Sequence, residues 1–192
     1  NHITVVECAT FVTGPYATAL LANLGARVIK IESPPDGDPY RTFAPDPYFS
    51  FNFAHLNRNN ESLALDLKAA KGKEICLDLI KRADVFVENF RPGTADRLGL
   101  GYEAVRALNP RLVYCSISAF GQTGPYVDKP GFDTLGQAMS GLLSLLSDPN
   151  DPKVMGVAVS DYVTGLSAGY GILGALLMRG VMIALGAQLL QR

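Results

Sequence analysis

The chain has 192 residues, enough to bury a substantial core as one domain and too few for two full ones. Its 17 basic and 18 acidic side chains leave a formal net charge of −1, which argues against a nucleic-acid surface, and its 48% hydrophobic content excludes a disordered acidic tail. Three cysteines, Cys8, Cys76 and Cys115, are odd in number and lack CxxC spacing, so neither a disulfide framework nor a metal site is expected and a reducing compartment fits.

Asn1 stands where a start methionine would, and no signal-peptide pattern follows it. A trimmed N-terminus is therefore expected, with the cytoplasm or the mitochondrial matrix as the compartment. Residues 3–7 read as a first strand, and Thr13-Gly14-Pro15 punctuates it before an apolar helix over 16–24 that Gly25 closes. Residues 27–32 form a second strand, ended by Ser33-Pro34-Pro35-Asp36-Gly37-Asp38. The aromatic stretch 43–60, with Tyr48, Phe49, Phe51 and Phe53, reads as a long ordered loop. Strand 62–67, helix 72–81 and buried strand 84–88 follow, then helix 102–108 and strand 112–118. Gly121, Gly124, Pro125, Pro130 and Gly131 mark a second long loop, and 154–159 gives one more strand before Asp161 opens the last helix. Strands alternating with helix-period segments predict an α/β fold, a Rossmann-like parallel sheet flanked by helices.

The uncharged run 162–178 approaches the length of a membrane span, and Gly165 and Gly169 form a GxxxG pair. Its four glycines, its start directly after an aspartate and the lack of an aromatic or basic belt there argue against spanning, so no membrane partner is expected.

Asp161 carries the most weight among candidate functional residues, because a parallel sheet presents ligands at strand C-termini. An aspartate there is also an ordinary helix N-cap, and the two readings are compatible. A helix terminus beside it would hold the carboxylate ionised, and Gly156 and Gly165 leave room for a ligand. Asn89-Phe90-Arg91-Pro92-Gly93 puts an amide, a ring, a cation and a glycine into one turn, which could grip a nucleotide or simply end a strand. Asn57-Arg58-Asn59 and Lys68 supply further phosphate-binding groups, though exposed lysines are usually just solvated. No GxGxxG, GxxxxGK[ST] or GxSxG occurs, and with only His2 and His55 a serine–histidine triad or a histidine metal cluster has little to build on.

Several strings together resemble the family III CoA-transferases. They are Thr13-Gly14-Pro15-Tyr16-Ala17-Thr18, Leu24 through Glu32, Asn57-Arg58-Asn59, Leu65-Asp66-Leu67-Lys68, Asp84 through Gly93, Asn109 through Tyr114, Ser118 through Tyr126, and Gly156 through Asp161. Their order matches from Ile3 to Arg179. The resemblance implies a Rossmann-like large domain on which coenzyme A lies, with Asp161 as the carboxylate that attacks an acyl-CoA thioester to form an aspartyl anhydride and then an aspartyl-CoA thioester. Family contacts to CoA fall on Lys68, Asn89, Phe90 and Arg97, and Val12 and Thr13 line the thioester end. Acyl-CoA and a carboxylic acid are then substrates, with no tightly bound cofactor and no metal.

The α-methylacyl-CoA racemases resemble the chain over the same strings but need a Gly-His-Asp segment, where this chain has Gly131-Phe132-Asp133. Phenylalanine carries no proton, so transfer is preferred to racemisation. Formyl-CoA transferases tend to carry lysine and tyrosine where Pro130 and Phe132 stand, so the resemblance leans toward enzymes acting on succinyl-CoA and glutarate-like dicarboxylates rather than oxalate. A CoA-binding fragment without catalysis is the other alternative. Family members are roughly twice this length and interlock as dimers, with a small domain and a C-terminal return. Residues 1–192 therefore read as a truncated CoA-binding large domain that lacks both parts and also a glycine-rich loop that covers the intermediate. Beyond Arg179 the family shows a charged turn and a strand, whereas 181–190 is simply apolar.

Overall fold

The computed structural model describes residues 3–43, 49–154 and 156–189, with side chains described through Val181. Asn1, His2 and Tyr48 of the aromatic stretch, with Leu190 at the apolar end, lie outside the described residues. Strands β1 (Thr4–Cys8), β2 (Arg27–Glu32), β3 (Asn60–Ala64), β4 (Val85–Glu88) and β5 (Val113–Ser116) form one sheet in the order β3-β2-β1-β4-β5, every pair parallel. Parallel neighbours need crossovers: α1 (Thr13–Asn23) joins β1 to β2, the segment with helix α2 (Phe51–Asn57) joins β2 to β3, α3 (Ala70–Ile80) joins β3 to β4, and the pair α4 (Thr94–Leu98) and α5 (Tyr102–Leu108) joins β4 to β5.

Strand alternation sorts the core into two halves. Val6, Cys8, Ile29, Ile31 and Phe86 meet Cys76 and Ile80 of α3 and Val105 of α5 on one face. Val5, Val28, Val85 and Val87 meet Leu21 and Ala22 of α1 on the other, together with Ile172 of α8 (Val159–Leu189). Gly25 ends α1 with φ 95°, a left-handed turn that glycine adopts without a Cβ penalty, and its N–H donates to Ala22 O at 3.0 Å.

The GxxxG pair on α8 finds its reason here. A Cβ on Gly165 would stand 2.7 Å from Thr13 O, and one on Gly169 would stand 3.3 Å from Leu20, so both glycines let α8 lie tight against α1. Among the described residues no helix is long and apolar enough to cross a membrane.

The sheet and the α/β alternation agree with the sequence reading, and several elements differ. A 3-10 turn, Pro39–Arg41, precedes the aromatic stretch, and the stretch contains a helix, α2 (Phe51–Asn57), whose N-cap Ser50 accepts from Phe53 N. Helices α4, α6 (Asp133–Met139) and α7 (Leu142–Leu146) were not foreseen, because each is shorter than the two turns in which periodicity shows. Among the described residues the expected strand at 154–159 does not form. Val154 and residues 156–158 are irregular, Val154 and Val157 are exposed, and the sheet already ends at β5, so the run has no strand to pair with and serves as the lead into α8.

Candidate active site

In strand order β3-β2-β1-β4-β5 the crossovers change direction between β1 and β4, and a parallel sheet opens its ligand crevice at such a point. Two loops meet there. Asn89, just past β4, accepts from Thr10 N at 3.0 Å and donates to Thr10 O at 2.8 Å and Thr13 Oγ1 at 3.1 Å. The β1–α1 loop, residues 9–12, is thereby tied to the end of β4, and the Asn89 amide is spent on the protein rather than left free for a nucleotide.

A cleft of about 380 Å³ lies beside this junction. Cys8 at the end of β1 and Ala9 and Thr10 of the β1–α1 loop line it, with Ile31 and Glu32 from β2, Leu67 and Lys68 from the segment after β3, and Phe90, Thr94 and Leu98 from the far side. Of the six expected CoA contacts, Lys68 and Phe90 line the cleft. Arg97 is exposed on α4, whose Thr94 and Leu98 line it, and donates to Thr94 Oγ1 at 2.7 Å. Val12 is buried at the N-cap position of α1, and Thr13 is its first residue. Arg58, expected to serve phosphate, folds back onto the His55 carbonyl. Among the described residues no cluster of His, Cys, Asp or Glu could hold a metal ion.

Glu32 orders the loop on one wall. It accepts from Arg41 through Nε and Nη2, both at 2.7 Å, from Ser62 Oγ at 2.6 Å and from Asp38 N at 2.9 Å. Burial pushes its carboxyl up, but the Arg41, Ser62 and Asp38 hydrogen bonds outweigh it and hold the group at about 2.

Asp161 sits in the first turn of α8, not at its N-cap. Capping comes from across the chain: Asp133, first residue of α6, accepts from Ser160 N at 2.8 Å, Ser160 Oγ at 2.7 Å and Asp161 N at 3.2 Å. Gln137, wholly buried, donates to Asp133 Oδ2 and to Val157 O, fixing this arrangement. The Asp161 carboxylate accepts no hydrogen bond among the described residues. The expectation that a helix terminus favours its charge is therefore reversed: burial, and then repulsion from Asp133, raise it from 3.8 to about 6. Next to it, Tyr162 stacks edge-on to Tyr16 of α1 at 4.9 Å, which brings the turn against the start of α1. Val12, Tyr40 and Leu56 form one small core there, packed by Phe11, Tyr16, Ala158 and Tyr162.

The pattern of CoA-transferase family III matches residues 1–182. The chain belongs to this family. It is 44% identical over 186 residues to an acetyl-CoA:oxalate CoA-transferase of Acetobacter aceti, covering 93% of this chain and 47% of that protein. It is 40% identical over 181 residues to the human succinyl-CoA:glutarate CoA-transferase, covering 92% and 41%. Among solved structures, a CAIB/BAIF family protein from Brucella suis superposes with a TM-score of 0.88 at 41% identity, covering 94% of this chain and 49% of that one. The chain thus spans about half the length of the relatives it matches.

Several parts of this family III site escaped the sequence reading. Asp133 was noted only as the residue after Phe132, and nothing local reveals that it caps a helix 27 residues on. Phe11 takes a left-handed backbone, φ 61°, which costs a non-glycine residue about 1 kcal/mol or more. Lys30 did leave a signal: a lysine between two isoleucines in a strand with β-neighbours on both sides is out of place, since such strands are nearly all apolar.

Proposed function

We propose that this chain is the CoA-binding part of an enzyme that moves coenzyme A between an acyl-CoA and a carboxylic acid, with Asp161 as nucleophile. One observation carries the reading: in a family III fold a half-buried carboxylate that accepts no hydrogen bond among the described residues sits in a turn packed, through Tyr162 and Ala158, against Phe11, Val12 and Tyr16. A carboxylate with no donor to satisfy it keeps its lone pairs for attack, and a raised carboxyl is the more basic nucleophile.

In this reading an Asp161 oxygen attacks the thioester carbonyl and the C–S bond breaks, giving a mixed anhydride and CoA thiolate. The thiolate then attacks the Asp161 carbonyl carbon, releasing the first acid as its carboxylate and leaving an aspartyl-CoA thioester. An incoming carboxylate attacks that thioester and expels the thiolate, which attacks the incoming acid's acyl carbon and restores Asp161. Val12 and Thr13 flank the thioester, the Phe90 ring takes an apolar part of the cofactor, and Lys68 and Arg97 meet phosphate charge. Asn89 acts through the loop it braces.

The racemase reading finds no support at Phe132, and the Asp133 carboxylate that follows is committed to Ser160 and Gln137. Relatives are named for oxalate as well as for glutarate, which supports a dicarboxylate acceptor but not the expected preference for glutarate-like acids over oxalate. We further read residues 1–192 as one large domain, completed in the full protein by a small domain and a second copy. Val163, Leu166, Tyr170, Leu173 and Leu177 of α8 are exposed, an apolar face of the kind that further chain covers. The test is chemical: acyl-CoA followed by hydroxylamine should leave a hydroxamate on Asp161, detected by peptide mass, and Asp161→Asn should abolish transfer. Transfer that survives in Asp161→Asn rules the nucleophile out.

A further inference from the structure

At the centre of the sheet, away from the proposed nucleophile, lies a wholly buried charge cluster. Lys30 of β2, Glu7 of β1 and Asp38 before the 3-10 turn are each at most 1% exposed. Lys30 Nζ donates to Glu7 Oε1 at 2.6 Å and to Ala9 O at 2.8 Å, and it is ion-paired with Asp38 Oδ2 at 2.9 Å. Burial opposes the lysine charge, but the Glu7 and Asp38 carboxylates outweigh it and raise the ammonium above the ordinary lysine value. Burying one cation and two anions gains little stability over an apolar core, so such a cluster calls for another reason.

Its connections supply one. The other oxygen of Asp38, Oδ1, accepts from Phe11 N at 3.1 Å and Tyr40 N at 2.9 Å. Phe11 is the residue forced to positive φ, and its ring is wedged against Tyr40 at 5.7 Å, Phe43 at 6.3 Å and Phe132 at 6.0 Å. Lys30 also holds the loop at Ala9 O, while Asn89 grips Thr10 from the opposite side. Tyr40, whose hydroxyl burial and then the charges of Tyr162, Asp161 and Asp38 push up, connects the cluster to the turn that bears Asp161.

We propose that Asp38, held in place by Lys30, is a positioning residue: its hydrogen bond to Phe11 N keeps the β1–α1 loop in the strained form that sets Val12 and Thr13 against Asp161. This rests on the reading of Asp161 as nucleophile and of Val12 and Thr13 as the thioester end. Asp38 also lines the cleft with Gly37 and Pro39, but Lys68 and Phe90 stand on other segments of its wall. Loss of the bond lets Phe11 relax to negative φ and shifts the two following residues, while the walls that carry Lys68 and Phe90 keep their own supports. The effect therefore falls on turnover and not on binding of the CoA part.

The experiment compares two variants of the intact protein, Asp38→Asn and Asp38→Leu. Both lose the Asp38 charge and keep Lys30 paired with Glu7, and they differ in the one acceptor oxygen facing Phe11 N. The Asn variant is expected to keep kcat within about threefold of the unmodified protein. The Leu variant is expected to lose at least about tenfold in kcat, with KM for acyl-CoA changed less than about threefold, the pattern of misplaced reacting groups. Equal kcat in the two variants, or a loss in the Leu variant that resides in KM, overturns the proposal. Should the Leu variant not fold, the Asn variant decides: collapse of kcat in a folded Asn variant overturns the role, and retained kcat supports it. Asp161→Asn run in the same assay separates the two readings. Transfer surviving there sinks the nucleophile, whereas equal Asn and Leu variants beside an inactive Asp161→Asn sink the Asp38 role alone.

Discussion

Asp161→Asn should make the protein more stable while it abolishes transfer. The carboxyl is raised from 3.8 to about 6, first by burial and then by Asp133, so its charged form is penalised in the fold relative to the unfolded chain. The sign follows: the fold binds the proton more tightly, stability is whole below about pH 4, and it is lost as pH rises through 6. At about 1.4 kcal/mol per pH unit of displacement the upper bound is about 3 kcal/mol, and because the group is partly exposed, solvent screening reduces this to about 1 to 2 kcal/mol. Asparagine carries no charge to repel Asp133, and no hydrogen bond to the native carboxylate is forfeited. Unfolding followed at pH 8 and again near pH 5, on both proteins, reads the difference: a gain on the order of 3 °C at pH 8 that shrinks at the lower pH. A variant no more stable at pH 8, or one with the same gain at both, refutes the account of burial and like charge.

Asp133→Asn retains an acceptor for Ser160 and Asp161 N–H groups but drops the charge, so the acid limb of kcat/KM against pH should move below about 6; a limb left in place means Asp133 does not act on Asp161 electrostatically. Lys68→Ala and Arg97→Ala should each raise KM for acyl-CoA several-fold with kcat little changed, and the effect should weaken with added salt. Loss of kcat at constant KM would take both residues out of the CoA path. The 192-residue chain expressed alone should self-associate through the exposed face of α8 and show at most slow thioester hydrolysis, as sedimentation and a thiol-release assay would record. Brisk transfer by a monodisperse monomer contradicts this.

Where local chemistry decides, the sequence was a sufficient guide. Val5 and Val6, like Val85 and Phe86, belong to short apolar runs whose neighbours point to opposite faces, and β2 and α5 begin and end where their patterns do. Gly25 announces the end of α1, and the ordered strings name the family. What sequence could not supply was any effect carried by residues far apart along the chain. A strand at 154–159 looked reasonable because apolar alternation is local, but pairing is not, and the sheet offers that run no partner. Asp161 looked like its own helix cap and a carboxylate kept ionised, but Asp133 takes the capping role, and burial, with the Asp133 charge second, reverses the electrostatics. Lys30, Glu7 and Asp38 are separated by 8 to 31 positions and read singly as ordinary charges; only the parallel pairing of β1 with β2 buries them together and gives Phe11 its conformation. Propensity and pattern act over a few residues, whereas burial, charge pairing and strain depend on which segments the fold brings into contact.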